Sequence, residues 1–296
     1  MSFQITTAFV DQYSSNVQML VQQKGSVLRG LVLQESVKAK EAYFEQIGSV
    51  AAVKKTTRHA DTPRVETPHK RRRLTLSTYN WADLIDNDDK VRMLIDPTSE
   101  YSMAAAWAMG RAIDEEIVDA ALGTAYTGEK GNEAVELPAG QIIDAEGSAG
   151  FTFDKLRQVK RVFDANDVPS EGRYIVLTAY QLDNLLGETK VTSADYASAK
   201  ALVRGEINEF MGFKFIQLNG KRADGTLILP EESNGIRSCL AFQKEGLKLG
   251  IGEDPFGKIT ERDDKCFATQ VYYEMSIGAT RMQEEAVVKV NCKESA

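Results

Sequence analysis

The segment with the spacing most typical of an enzyme is residues 252–259, where Gly252 and Gly257-Lys258 match a phosphate-binding loop. The chemistry of the neighbouring residues argues against that function. Ile259 stands where the loop needs a metal-binding hydroxyl, and the carboxylates of Glu253 and Asp254 would repel phosphate. We therefore interpret the segment as a turn between two strands.

Carboxylates cluster at two other places. Residues 83–89 contain four aspartates, but lack the central glycine and the distal bidentate glutamate of a calcium loop. They are Asp83, Asp86, Asp88 and Asp89. Asp114, Glu115 and Glu116 are consecutive within a predicted helix, so they point in different directions and cannot form a catalytic pair. These patterns favour solvated or structural acids.

Histidine and cysteine are sparse. His59 and His69 have no metal-binding spacing with each other or with a cysteine. Cys239, Cys266 and Cys292 are far apart and odd in number, which predicts ordinary thiols in a reducing cytoplasm. No serine lies in a G-x-S-x-G context. We expect no catalytic residue, no metal and no cofactor, and thus no enzyme.

One segment reverses the charge of the chain. The 296 residues carry a net charge of −7, and 43% of them are hydrophobic. Residues 54–73 carry +6, which leaves −13 on the rest. The basic side chains are Lys54, Lys55, Arg58, Arg64, Lys70, Arg71, Arg72 and Arg73. An apolar run long enough to span a membrane is absent from the sequence, and the N-terminus lacks the pattern of a secretory signal.

Three interpretations of this basic segment were compared. A solvated loop is the simplest, and a nucleic-acid-binding arm is weakened because no aromatic residue lies between Phe44 and Tyr79 to stack on bases. We favour an arm that contacts a neighbouring subunit, since its arginines can pair with carboxylates of the acidic remainder. Residues 50–80 contain too few apolar side chains to offset an ordering cost of about 1–2 kcal/mol per residue.

Extended structure and a long helix are predicted in the first half of the chain. We predict an extended arm with one short helix near residues 35–46, then a hairpin with strands at 50–58 and 71–79. The strongest helix follows, with Asp96 as its cap, Pro97 in its first turn and Gly123 as its stop. We expect Met103 and Trp107 on its core face, and Arg111, Asp114 and Glu115 on its solvent face.

The second half combines an α/β unit with further strands. Helices are predicted over residues 153–163 and 179–186, with strands at 174–178, 213–218 and 226–229. A β-rich part follows. Its predicted strands are residues 240–244, 247–251, 267–281 and 286–291.

Four segments resemble the major capsid proteins of tailed bacteriophages, which have the Hong Kong 97-type fold. The segments are residues 61–73 (DTPRVETPHKRRR), 81–86 (WADLID), 89–98 (DKVRMLIDPT) and 121–128 (ALGTAYTG). The resemblance implies an α+β capsid fold divided into four parts. Residues 1–45 would be the N-arm, 46–80 the E-loop, 81–150 with 241–296 the peripheral domain containing the spine helix at about 97–123, and 151–240 the axial domain.

The resemblance also implies a function and a set of partners. The chain would assemble with itself, as hexamers and pentamers, into the icosahedral shell of a virion that encloses double-stranded DNA. The eight basic side chains of residues 54–73 would make the intersubunit contact. We further expect a separate scaffolding protein, a portal, room for a decoration protein, only non-specific contact with DNA, no membrane, and assembly in the cytoplasm of the host bacterium. The alternatives are an encapsulin-type shell that holds cargo enzymes, and a nucleic-acid-binding protein that uses the basic arm.

Overall fold

The computed structural model describes residues 22–58, 61–62, 64–86, 98–144, 146–187, 209–232 and 235–294. Within these ranges the chain forms fifteen strands and three α-helices. The helices are α1 (Thr98–Leu122), α2 (Phe153–Ala165) and α3 (Ala179–Leu186). Short 3₁₀ turns lie at Arg29–Leu31, Ala139–Gln141, Lys244–Gly246 and Asp263–Lys265.

The strands form three sheets. They are β1 (Leu33–Ser36), β2 (Glu41–Ile47), β3 (His69–Thr75), β4 (Ser77–Ile85), β5 (Ala125–Thr127), β6 (Glu133–Val135), β7 (Ile142–Ile143), β8 (Arg173–Leu177), β9 (Glu209–Phe210), β10 (Phe213–Gln217), β11 (Glu231–Glu232), β12 (Ile236–Gln243), β13 (Leu247–Arg262), β14 (Ala268–Arg281) and β15 (Val287–Lys293). One sheet has the order β1-β13-β14-β4 and another β2-β3-β5-β6. The third has the order β7-β15-β12-β8-β10-β9, with β11 also paired to β12.

Helix α1 is 25 residues long, or about 37 Å, and packs on β14. It ends at Leu122, where the Gly123 N–H donates to the Asp119 carbonyl at 2.8 Å, as predicted. The predicted cap Asp96 and first-turn Pro97 lie outside the described residues.

The predicted faces of α1 were wrong. Met103 is 46% exposed and Trp107 is only half-buried, whereas Asp114 is completely buried. The buried stripe is Ala105, Met109, Ile113, Ile117 and Ala121, which recur every four residues. Asp114 lies beside this stripe, and hydrogen bonds from the N-terminal segment stabilise its carboxylate there.

Both helices and the first two strands predicted for the α/β unit are confirmed. Thr152 and Thr178 cap α2 and α3, because their side-chain oxygens accept hydrogen bonds from the backbone N–H of the third helical residue, Lys155 and Gln181. Phe163 of α2 packs against Phe213 of β10, with ring centroids 5.7 Å apart. These local signals lie close together in the sequence, so helices and strands were placed correctly here.

Two predictions for the hairpin region were wrong. Residues 35–46 form β1 and β2 rather than a helix, because Phe44 is buried by pairing with β3 while its neighbours Tyr43 and Glu45 face outward. Residues 50–58 form no strand, since β3 pairs with β2 and leaves them in the connecting loop. A strand at 50–58 would also have placed lysines opposite the arginines of β3.

Two predictions in the second half were also wrong. Residues 226–229 contribute only an isolated bridge between Lys221 and Leu227, closed by the Arg222 N–H donating to the Thr226 carbonyl at 2.7 Å. Residues 252–259 are not a turn but part of β13, which continues to Arg262 through irregular register. Gly257 is required there by the Tyr273 ring, since a Cβ would lie 2.5 Å from it.

The seven-stranded sheet crosses the predicted domain boundaries. Strands β7 and β15 lie in segments assigned to the peripheral domain, yet both belong to the sheet of the α/β unit. Ile143, Val288 and Val290 are buried in the same core as Phe163. The chain therefore returns to the α/β unit after β14.

Candidate assembly interface

The basic segment belongs to a hairpin made by β2 and β3, here called the basic hairpin (residues 41–75). The ladder runs from Glu41 opposite Thr75 to Ile47 opposite His69. The Gly48 N–H then donates to the Pro68 carbonyl at 2.8 Å and closes the ladder. Residues 49–68 connect the two strands and are called the basic loop.

Arg72 attaches the root of this hairpin to the body of the chain. The residue is only 3% exposed, and its Nε donates to the Met282 carbonyl at 3.1 Å. Its Nη2 pairs with the Glu284 carboxylate, which is largely buried. From β2, the Gln46 Nε2 donates to the same Met282 carbonyl at 2.6 Å. Both strands are therefore bound to the segment that follows β14.

A small apolar cluster supports the same attachment. Val37, Phe44, Leu74 and Met282 are buried together beneath the hairpin. Burial of a side chain such as Leu74 contributes about 1.5–3 kcal/mol relative to exposure. The root is consequently a packed part of the fold.

The opposite face of the hairpin carries the remaining arginines. Arg71 Nε donates to Glu45 Oε1 at 2.8 Å, and its guanidinium lies 5.5 Å from the Tyr43 ring centroid. The Arg73 guanidinium lies 4.7 Å from the Tyr126 ring centroid, a cation–π distance. Alternation along β3 thus sends Arg71 and Arg73 to one face and Arg72 to the other.

The basic loop differs from the root because its surface is open. Every described residue from 49 to 70 is exposed. Lys54, Lys55, Arg58 and Arg64 form no ion pair within the described part of the chain. The apolar side chains of the loop are exposed as well. They are Val50, Val53 and Val65.

The structure divides the eight predicted contact residues into two sets. Lys54, Lys55, Arg58, Arg64 and Lys70 are exposed and available to a neighbour. Arg71, Arg72 and Arg73 have the partners within the chain described above. Their predicted contact with another subunit stays a prediction, and for Arg72 burial leaves little surface to make it. His69 is exposed at the start of β3, and His59 lies outside the described residues.

A second attachment, missed by the sequence analysis, holds the N-terminal segment on α1. The buried Asp114 carboxylate accepts hydrogen bonds from the backbone N–H groups of Val27 and Leu28 at 3.0 and 2.9 Å. The side chains of Gln23 and Ser26 donate to it as well. Burial raises the pKa of Asp114, while these hydrogen bonds lower it. The available signal was its position beside Ile113 and three residues before Ile117, at the border of the apolar stripe.

The next acids of α1 have separate partners, as predicted. Tyr79 donates its hydroxyl to Glu116 Oε2 at 2.7 Å, and burial together with this carboxylate raises the pKa of Tyr79. Burial also raises the pKa of Glu116. Glu115 instead accepts from Arg222 Nη1 at 2.7 Å. The three carboxylates therefore bind three different segments of the chain.

Groups that could support chemistry are not assembled into a site. In the described ranges, no three His, Cys, Asp or Glu residues are placed to hold a metal ion. Cys266 is exposed, whereas Cys239 and Cys292 are buried, and a hydrogen bond with Cys292 together with burial raises the pKa of Cys239. Asp83 lies in β4 and accepts a hydrogen bond from the N–H of the next residue, Leu84. Asp88 and Asp89 lie outside the described residues.

A cavity lined mainly by charged side chains lies beside the hairpin root. This cavity of about 510 Å³ lies between the hairpin root and the turn after β5, and its wall mixes cations with carboxylates. Among the described helices, none is long and apolar enough to cross a membrane. The described chain thus combines an exposed basic loop on a packed root with a long helix and an α/β unit.

Comparison with known proteins identifies the family. The family model described as phage capsid protein matches residues 5–294, and the chain belongs to that family. A search of curated proteins found no match. The fold is of the Hong Kong 97 type found in tailed-phage capsids, and the chain is a major capsid protein that forms oligomers of the virion shell.

Solved capsid structures share this fold at low sequence identity. The capsid of cyanophage P-SCSP1u is 17% identical with a TM-score of 0.73, and the match covers 100% of this chain and 96% of that one. The structure from Mycobacterium phage Che8 is 18% identical with a TM-score of 0.68, and the match covers 95% of this chain and 97% of that one. The acid-stable capsid of Helicobacter pylori bacteriophage KHP30 is 12% identical with a TM-score of 0.69, and the match covers 99% of this chain and 97% of that one.

Proposed function

We propose that the basic loop makes the contact that joins neighbouring copies of this chain in the hexamers and pentamers of the shell. The contact side chains are Lys54, Lys55, Arg58 and Arg64 of the loop, together with Lys70 at the start of β3. The observation that carries this proposal is the exposure of every described residue from 49 to 70. A loop of this composition gains order only if another surface covers it, because ordering costs about 1–2 kcal/mol per residue.

Charge favours a second copy as that surface. The chain outside residues 54–73 carries −13 and so presents carboxylates to an incoming cationic loop. Exposed Val50, Val53 and Val65 add apolar area that a neighbour would cover. A nucleic-acid partner has less support, since the exposed loop offers no aromatic side chain to stack on bases.

The domain division is proposed with one adjustment. Residues 1–45 act as the N-arm, 46–80 as the E-loop, and α1 with the sheet containing β13 and β14 as the peripheral domain. The axial domain takes 151–240 together with β7 and β15, since these strands complete its sheet.

The remaining partners follow from a shell that is built around DNA. We propose a separate scaffolding protein, a portal, room for a decoration protein, and only non-specific contact with the packaged DNA. Assembly takes place in the cytoplasm of the host bacterium. The chain acts by geometry and not by catalysis, consistent with its membership of a structural family.

Hydrogen exchange of free subunits and of purified shells tests the intersubunit contact. We expect the amides of residues 49–58 to exchange rapidly in subunits and at least tenfold more slowly in shells. Glu129, Lys130 and Asn132, which are exposed in the turn after β5, provide an internal reference. Equally rapid exchange of the loop in both states would show that no neighbour covers it.

A further inference from the structure

The segment Arg281, Met282 and Glu284 joins parts of the subunit that are distant in sequence. It connects β14 of one sheet to β15 of the seven-stranded sheet. Arg72 and Gln46 bind it from the basic hairpin, through the Met282 carbonyl and Glu284. We call this segment with its two hairpin partners the root junction.

Arg281 extends the root junction to the end of the spine helix. The residue is completely buried, and its Nη1 donates to the carbonyls of Ala121 at 2.9 Å and Gly123 at 2.7 Å. Its Nη2 donates to the Val135 carbonyl at 2.9 Å. The terminal carbonyls of a helix carry partial negative charge, which a cation stabilises. Arg281 thus fixes the segment relative to α1.

Among the described residues, Glu284 is the one carboxylate within 4 Å of both buried guanidinium groups. It pairs with Arg72 and lies 3.8 Å from Arg281 Nε. Arg281 is completely buried, and this burial lowers the pKa of its guanidinium. One anion between two buried cations holds both in place, so its removal affects the hairpin and the helix end together.

The positions of the two attached residues show which part of the hairpin they hold. Arg72 pairs with Phe44 in the middle of the ladder, and Gln46 pairs with Lys70 one position from its loop end. The root junction therefore holds the ladder almost to the start of the basic loop, so it sets the direction in which the loop leaves the body of the subunit.

We propose that Glu284 is a positioning residue, which fixes the direction of the basic hairpin relative to the spine helix and thereby keeps the shell uniform in size. The inference rests on the proposed function, because a hairpin that contacts no neighbour could not influence the shell. It assigns a role in shell geometry to a side chain that is itself too buried to meet another subunit.

Glu284→Gln and Glu45→Gln form a matched pair for the test. Both carboxylates bind an arginine of β3, but Glu45 is 57% exposed and pairs with Arg71 on the outer face. We expect Glu45→Gln to give normal shells. Glu284→Gln should fold, yet give particles whose spread of diameters by electron microscopy is at least twice that of the parent protein. Hydrogen exchange of β2 and β3 should rise at least tenfold in its free subunits, with β8 and β12 unchanged.

Two results would overturn the positioning role. One is a set of uniform shells from Glu284→Gln, and the other is exchange that rises equally throughout the subunit, which indicates general destabilisation. If Glu284→Gln does not fold, Arg72→Lys provides a second variant. A lysine keeps the charge but cannot contact the Met282 carbonyl and the Glu284 carboxylate at the same time. Its particle diameters and its hydrogen exchange are then measured in the same way. Normal assembly by Lys54→Glu with Lys55→Glu would instead refute the proposed function itself.

Discussion

Reversing two charges of the basic loop is the most direct test of the intersubunit contact. Lys54 and Lys55 are exposed and form no ion pair within the described chain, so Lys54→Glu with Lys55→Glu should change subunit stability by less than about 0.5 kcal/mol. Arg72 is unsuitable for this purpose. It is buried on Glu284, and a carboxylate there would destabilise the hairpin root.

The expected effect on assembly follows from the energies of exposed ion pairs. Each contributes about 0.2–1 kcal/mol, and charge reversal replaces an attraction with a repulsion. Two reversals therefore cost about 2 kcal/mol per subunit. Since 1.4 kcal/mol is a factor of ten, the subunit concentration needed for shell formation should rise by about 30-fold.

Light scattering against subunit concentration measures this threshold, and negative-stain imaging identifies the particles. Lys54→Arg with Lys55→Arg keeps the charge and should assemble like the parent protein. Raising the salt concentration should weaken assembly of the parent more than that of the reversed variant. Salt screens the attraction between the two lysines and the neighbouring carboxylates, and the reversed variant lacks this attraction. An unchanged threshold in the reversed variant would refute the contact.

Three further predictions concern the subunit itself. Phe163→Ala should lower the free energy of unfolding by about 3–5 kcal/mol in a denaturant titration, because its fully buried ring packs on Phe213. Asp114→Asn should speed hydrogen exchange at residues 26–31, because the new amide NH₂ group would face the N–H donors that the carboxylate now accepts from. Unchanged exchange would contradict the attachment of the N-terminal segment to α1. A hydrogen bond from Arg173 lowers the pKa of Asp164, so the folded pKa lies below the unfolded value of about 3.9. The ion pair therefore stabilises the fold at pH values above about 3.9, and this stabilisation is lost as the pH falls through the folded pKa. Asp164→Asn should consequently reduce the loss of unfolding free energy at acid pH. An unchanged dependence of the unfolding free energy on pH would contradict the ion pair.

The sequence was sufficient where structure depends on near neighbours. Helix α2 has an apolar spacing that ends in Phe163, and its cap Thr152 immediately precedes its thirteen residues. The end of α1 at Gly123 is equally local. The order of hairpin, long helix and α/β unit was also predictable, because each part has its own composition.

Pairing between distant segments was not predictable in the same way. The partner of β3 lies at residues 41–47, and the choice depends on Phe44 entering a cluster with Met282, more than two hundred residues away. The Asp114 face of α1 was misjudged for a related reason. A carboxylate in a helix is expected to face solvent when no hydrogen-bond donors are known near it. The donors for Asp114 are the backbone N–H groups of Val27 and Leu28, which are distant in sequence.

The three consecutive arginines of β3 show how the assembly function and the fold share one short sequence. A strand sends successive side chains to opposite faces, so Arg71, Arg72 and Arg73 cannot all face a neighbouring subunit. Arg72 is buried and binds the hairpin to the body, while the lysines and arginines of the exposed loop before β3 remain unpaired within the described chain. The basic hairpin combines an attached root with an open loop within 35 residues of chain. If the loop contacts a neighbouring subunit as proposed, a fixed root with a flexible loop lets that contact persist at several angles between subunits.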